Sequence, residues 1–159
     1  MAGRLRGWRA LTWRERAQFT ALVPALALVH AALALFGYVR TRRALERLSE
    51  RAPRREPTDH DLAQARRLSE LAAIAGRHGL VTATCLRQSL VVYAWLRRRG
   101  LDPELKIGVD RVGTVPDMHA WVALAGEALA PSGVRHAVFS ASTASRQADT
   151  DATTSGKRA

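Results

Sequence analysis

The 159-residue chain predicts an α+β domain behind an N-terminal helical region. Three observations carry this. Apolar residues recur at helical spacing from Leu62 to Leu96, the period changes to two from Leu105 onward, and an uncharged run covers 17–39 ahead of both. Helices followed by a group of strands make the α+β pattern.

Residues 1–49 form the basic and apolar N-terminal region. With His30 neutral, 17–39 hold no charge, and that length suffices to span a bilayer. Arg14 and Arg16 precede the run, and Arg40, Arg42 and Arg43 follow it, so orientation is weakly specified. The apolar run is too long for a signal peptide, and no clear small-residue cleavage site follows it. Two readings stay open. The segment contacts or crosses a membrane, or it forms one helix, or two broken at Pro24, with its Leu/Val/Phe face on the downstream domain.

Residues 50–61, with Pro53 and Pro57 among charged side chains, read as a linker. Asp59 or Asp61 should cap a helix over 62–78, whose stripe is Leu62, Ala65, Leu68 or Ser69, Ala72 and Ala75, with Gly79 as its stop. After an irregular stretch from Leu80 to Thr84, the next helix opens at Cys85. It shows Leu86, Leu90, Tyr93 and Leu96 on one face and should be largely buried. It ends in Arg97-Arg98-Arg99-Gly100, basic residues and a glycine that suit a helix C-terminus. Leu105, Ile107 and Val109 then alternate with polar or small residues as a strand. Met118–Leu124 is a second, Ala125-Gly126 a tight turn, Glu127–Ala130 the return strand and Val134–Phe139 another. The domain is therefore set at 62–139. Residues 140–159, rich in Ser, Thr, Ala and Asp, read as a disordered tail.

The net charge is +11, and residues 1–55 hold 12 Arg against 3 Glu, so +9 of it lies there. A basic arm suits nucleic acid or anionic lipid. Here the arginines flank an apolar run instead of interleaving with stacking aromatics, which argues against nucleic acid. A single cysteine cannot form an internal disulfide and offers no paired-cysteine zinc spacing. A reducing cytosol is the default compartment, and no metal or cofactor is called for.

That cysteine, Cys85, carries the chemistry together with His119 in Asp117-Met118-His119-Ala120-Trp121-Val122. A helix N-terminus favours an anion, and thiolate is the nucleophile. A strand histidine can accept the thiol proton or pair with the thiolate. Trp121 shares the strand face of His119, where it shields the imidazole or fills core. With a two-residue turn at Ala125-Gly126, Leu124 pairs with Glu127 and His119 falls opposite Ser132. Ser132 could accept a bond from the ring but carries no charge. Asp110, Asp117 and Glu127 are further candidates, so the third member of a triad stays unknown. Gln88, His30, His60, His78 and His136 receive no role.

Taken together, Cys85-Leu86-Arg87-Gln88-Ser89-Leu90, Leu96-Arg97-Arg98-Arg99-Gly100, Leu105-Lys106-Ile107-Gly108-Val109 and His119-Ala120-Trp121-Val122 resemble one family. It is the transglutaminase-like B-type leader peptidases of lasso-peptide biosynthesis. The resemblance covers roughly 60–139, and Leu11-Thr12-Trp13-Arg14-Glu15-Arg16 with the Leu/Ala-rich run resembles the family's N-terminal part. It implies a transglutaminase-like (papain-like) cysteine peptidase domain with Cys85 as nucleophile and His119 as base. It also implies a precursor peptide as substrate, a separate leader-recognition protein and an asparagine-synthetase-like macrolactam cyclase. Residues 1–58 are too short and too poor in strand pattern to be a fused recognition domain, so this resembles the split form. The family's acid on the strand paired with the histidine is missing, since Ala130-Pro131-Ser132 stand there. A neutral orienter is tolerable where the ion pair already lies between thiolate and imidazolium. Competing readings are a degenerate transglutaminase-like peptide-binding scaffold and a membrane-tethered acyltransferase. The expected location is cytoplasmic, with membrane association through 17–39 as the variant.

Overall fold

The computed structural model describes residues 11–50, 53–78, 83–110 and 117–129, without the side chains of His78, Val109, Asp110, Asp117 and Met118. Three helices and a three-stranded antiparallel sheet follow in chain order. They are α1 (Trp13–Ser49), α2 (Asp59–His78), α3 (Cys85–Arg98), β1 (Glu104–Asp110), β2 (Asp117–Leu124) and β3 (Glu127–Ala128).

Helix α1 starts at a capping box. The Thr12 hydroxyl accepts the Glu15 N–H at 3.3 Å, and the Glu15 carboxylate accepts the Thr12 N–H at 2.7 Å. Pro24 sits inside the helix, and the break falls at Gly37, with φ 71° and ψ 176°. Only a residue without Cβ reaches that backbone state cheaply, so the glycine, and not the proline, sets the bend. Leu22, Leu26 and Val29 are buried with the α2 and α3 side chains in one core. Packing on the downstream domain therefore holds for this stripe, while Leu28, Leu35, Phe36 and Val39 stay exposed.

Beyond the bend, α1 is tied to α3 by polar side chains. Glu46 accepts from Arg42 at 3.0 Å and from the Tyr93 hydroxyl at 3.4 Å, and Arg97 donates to Tyr93 at 3.1 Å and to Glu50 at 2.8 Å. The stretch read as a linker is docked as well. The Arg55 N–H donates to the Gly100 carbonyl at 2.8 Å, and Arg54 pairs with Asp102.

Helix α2 begins at Asp59, three residues ahead of the expected Leu62, and its cap is Thr58 rather than Asp59 or Asp61. The Thr58 hydroxyl accepts the Asp61 N–H at 3.3 Å while Asp61 accepts the Thr58 N–H at 2.9 Å, so the aspartate closes the box from the third position. The expected Ala65, Leu68, Ala72 and Ala75 are buried, and Leu71 joins them because α2 packs on both α1 and α3. Ser69 lies at the edge, donating to the Leu129 carbonyl at 2.5 Å.

Helix α3 is the central element, with Ser89, Leu90, Val91, Val92, Tyr93 and Leu96 buried. It ends as its sequence requires. The Gly100 N–H donates to the Arg97 carbonyl and the Leu101 N–H to the Leu96 carbonyl, with Gly100 at φ 78° and Leu96 and Leu101 both buried. Of the arginine triplet, Arg97 and Arg99 make internal bonds and Arg98 is exposed.

In the sheet, Leu105 pairs with Val122, Ile107 with Ala120 and Gly108 with His119. Leu124 pairs with Glu127 across Ala125 and Gly126, whose φ of 51° and 79° are the positive pair a two-residue hairpin needs. Gly79, Ala130, Ser132, Val134–Phe139 and the tail over 140–159 lie outside the described residues.

Candidate active site

Cys85 is the first residue of α3 and is half-buried. Thr84, at the N-cap, is extended (φ −68°, ψ 163°) and gives no side-chain cap, and the first turn contains no acidic residue. The positive end of the helix is therefore not spent on a capping oxygen or a neighbouring carboxylate. It remains available to an anion at Cys85 or on a bound carbonyl.

The approach to Cys85 is braced from α2. The Ala83 N–H donates to the Gly76 carbonyl at 3.0 Å, and the Gln88 amide donates to the Ala83 carbonyl at 2.8 Å. A Cβ on Gly76 would lie 2.5 Å from Gln88 Nε2, so the glycine admits the glutamine. Sequence reasoning gave Gln88 no role. Here it holds the backbone two residues before the thiol.

His119 stands on β2 opposite Gly108, which puts no side chain directly across from its ring. The His119 and Trp121 rings stack, with centroids 6.3 Å apart and planes 19° from parallel. Trp121 is 4% exposed, so it both fills core and flanks the imidazole.

A buried hydrogen bond joins the helix of Cys85 to the strand of His119. Ser89 Oγ donates to the Ala120 carbonyl at 2.9 Å. Ser89 lies one turn after Cys85, on the same helix face, and Ala120 directly follows His119. Nothing in the spacing of Cys85 and His119 reveals this tie, although the serine stood within the motif.

The remaining candidates separate clearly. Glu127 is engaged by Arg66 through two bonds of 2.5 and 2.6 Å, and that guanidinium holds its carboxyl below the ordinary range. It serves the α2–β3 contact. Asp110 and Asp117 are register partners two residues from the Gly108–His119 pair, at the end of the β1–β2 ladder. Ser132 is outside the described residues. Among the described residues no cluster of His, Cys, Asp and Glu could hold a metal ion.

A family model described as the transglutaminase-like superfamily matches residues 25–144, well over half of the chain and including both Cys85 and His119. Neither the curated proteins nor the solved structures compared with the chain give a match.

Proposed function

This chain belongs to the transglutaminase-like superfamily, and on that premise we propose that it is a cysteine peptidase. Its substrate is a ribosomally made lasso-peptide precursor, from which it removes the leader. The observation that carries the reading is the Ser89–Ala120 bond. It docks the helix headed by Cys85 on the strand of His119, one turn after the cysteine and directly after the histidine.

In the proposed reaction His119 takes the Cys85 proton, and the thiolate attacks the scissile carbonyl. The resulting oxyanion is held by backbone N–H groups at the start of α3. The protonated His119 delivers its proton to the leaving amine, and an acyl-enzyme remains. Water then attacks the thioester, with His119 as base, releasing the carboxylate and the thiol. The superfamily's thiol chemistry serves hydrolysis or acyl transfer. Hydrolysis is favoured by the resemblance of Cys85–Leu90 and His119–Val122 to the leader peptidases. The same resemblance supplies the proposed partners, namely a separate leader-recognition protein and an asparagine-synthetase-like cyclase acting on the product, in the cytoplasm.

The test is mass spectrometry of the precursor encoded beside this gene. It is incubated with this protein and its recognition partner, with Cys85→Ala in parallel. The leader mass should be lost with the wild type only. An intact precursor with both proteins folded and bound would instead mark a peptide-binding scaffold, and a cross-linked product would mark an acyltransferase.

A further inference from the structure

We infer that the exposed side of α1 is a peripheral docking surface for an anionic lipid bilayer, lying along it and not through it. The observation is a stripe that the fold leaves uncovered. Leu28, Leu35, Phe36 and Val39 are 71, 75, 57 and 56% exposed, although they belong to a helix that, alone among the described residues, is long and apolar enough to cross a membrane. Leu28, Leu35 and Phe36 follow the i, i+7, i+8 spacing of a single helix face, and Val39 is exposed just beyond the bend at Gly37. Contiguous apolar exposure of this kind marks an interaction surface.

Charge identifies the occupant. Arg14 stands exposed at one end of the stripe, and Arg40, Arg43 and Arg47 stand exposed at the other. Arg40, Arg43 and Arg47 make no ion pair or hydrogen bond among the described residues. Several other arginines, Arg42 on α1 and Arg54, Arg55, Arg66, Arg67 and Arg97 beyond it, each hold a carboxylate. Exposed cations bracketing an apolar stripe match a lipid surface, whose phosphates sit beside its acyl region. A cavity of about 550 Å³ between α1 and α3 adjoins the stripe at Leu28, with Trp95 and Arg98 also among its lining residues.

The same structure argues against a span. Leu22, Leu26 and Val29, on the opposite face of α1, are 0, 1 and 6% exposed within the shared core. Crossing a bilayer would strip that core from α2 and α3.

Flotation of the full chain with vesicles tests this, comparing phosphatidylglycerol–phosphatidylcholine mixtures with phosphatidylcholine alone. Binding to the anionic vesicles, released by high salt, is expected. The triple variant Arg40→Gln, Arg43→Gln, Arg47→Gln should weaken it on the order of 100-fold. Leu35→Asp with Phe36→Asp should weaken it about tenfold or more. All five side chains are solvent-exposed, so circular dichroism should show the folds unchanged. Four results would overturn the inference. They are no flotation of the folded protein, equal flotation on neutral vesicles, resistance to salt and carbonate as for a span, and a lipid-free dimer abolished by the Leu35/Phe36 variant. None depends on the Cys85 chemistry, so this proposal and the peptidase reading fail separately.

Discussion

Replacing Ser89 by alanine removes a buried side-chain bond that joins the α3 helix to β2 beside the proposed dyad. Ser89 is 7% exposed, so water does not readily replace the lost donor. Two costs add: the net value of the bond, and the penalty for leaving the Ala120 carbonyl buried without its partner. Together they amount to about 1–3 kcal/mol. With a urea slope of about 1.5 kcal/mol per molar, the unfolding midpoint should fall by roughly 1 M. The functional consequence follows from position. Cys85 precedes Ser89 by one helical turn, about 6 Å along the axis, and the bond fixes that turn against the residue after His119. Losing it should lower the rate at which iodoacetamide labels the sole thiol, and should lower kcat for leader cleavage more than it changes KM. Ser69→Ala is the control, since it deletes a comparable hydroxyl–carbonyl bond to Leu129 at the other end of the sheet. It should cost similar stability and leave the labelling rate unchanged. The reasoning is refuted if Ser89→Ala leaves the midpoint unmoved. It is equally refuted if both serine variants change stability alike and neither changes the thiol.

Three further outcomes follow from the geometry. Gly76→Ala places a Cβ 2.5 Å from Gln88 Nε2 and 3.2 Å from the Ala83 Cβ, which displaces the Gln88 amide from the Ala83 carbonyl and, against the roughly 1 kcal/mol that alanine gains inside a helix, should leave a net loss of about 1 kcal/mol in a urea titration. Adding Gln88→Ala should recover part of that loss, and a strictly additive pair would contradict the contact. Ala125→Asn should raise the thermal midpoint, because Ala125 holds φ at 51° and asparagine tolerates that state by up to about 1 kcal/mol better. An unchanged or lower midpoint would count against that account of the turn. The Glu15 carboxyl is held at about 2, against an ordinary 4.5, first by the Arg67 side chain and then by Thr12. A depressed carboxyl contributes stability that is present above its unfolded value and is lost as pH falls through the folded one. The stability difference between wild type and Glu15→Gln should therefore be level at neutral pH and shrink between pH 4.5 and 2. A difference independent of pH would show that Glu15 acts through shape alone.

Much of the fold could be read from the chain because local signals agreed with one another. The α3 end was legible in Arg97-Arg98-Arg99-Gly100, and the β2–β3 hairpin in two small residues between alternating runs. Both helix starts carried a Thr-x-x-acid box, at Thr12–Glu15 and Thr58–Asp61. The second was misread because two aspartates beside Thr58 compete as caps, and only the structure shows which side chain accepts the N–H. The sequence left α1 open as one helix or two broken at Pro24; the helix runs through Pro24, and the break falls at Gly37, whose missing Cβ allows the positive φ. The buried stripe of α1 was one of two open readings, since composition cannot distinguish a helix that packs from one that meets lipid. At the site, Cys85 and His119 were visible by residue type and order. The Ser89–Ala120, Gln88–Ala83 and Arg66–Glu127 contacts were not, because each joins positions whose proximity only tertiary packing creates.

The central claim is that His119 acts on Cys85, and the single thiol allows it to be measured without interference. The full-length protein and His119→Gln would be labelled with iodoacetamide at neutral pH, after circular dichroism shows matching folds. The account predicts labelling of the wild type at least about tenfold faster than of the variant. Equal rates in two folded proteins would contradict it and leave Cys85 an ordinary half-buried thiol.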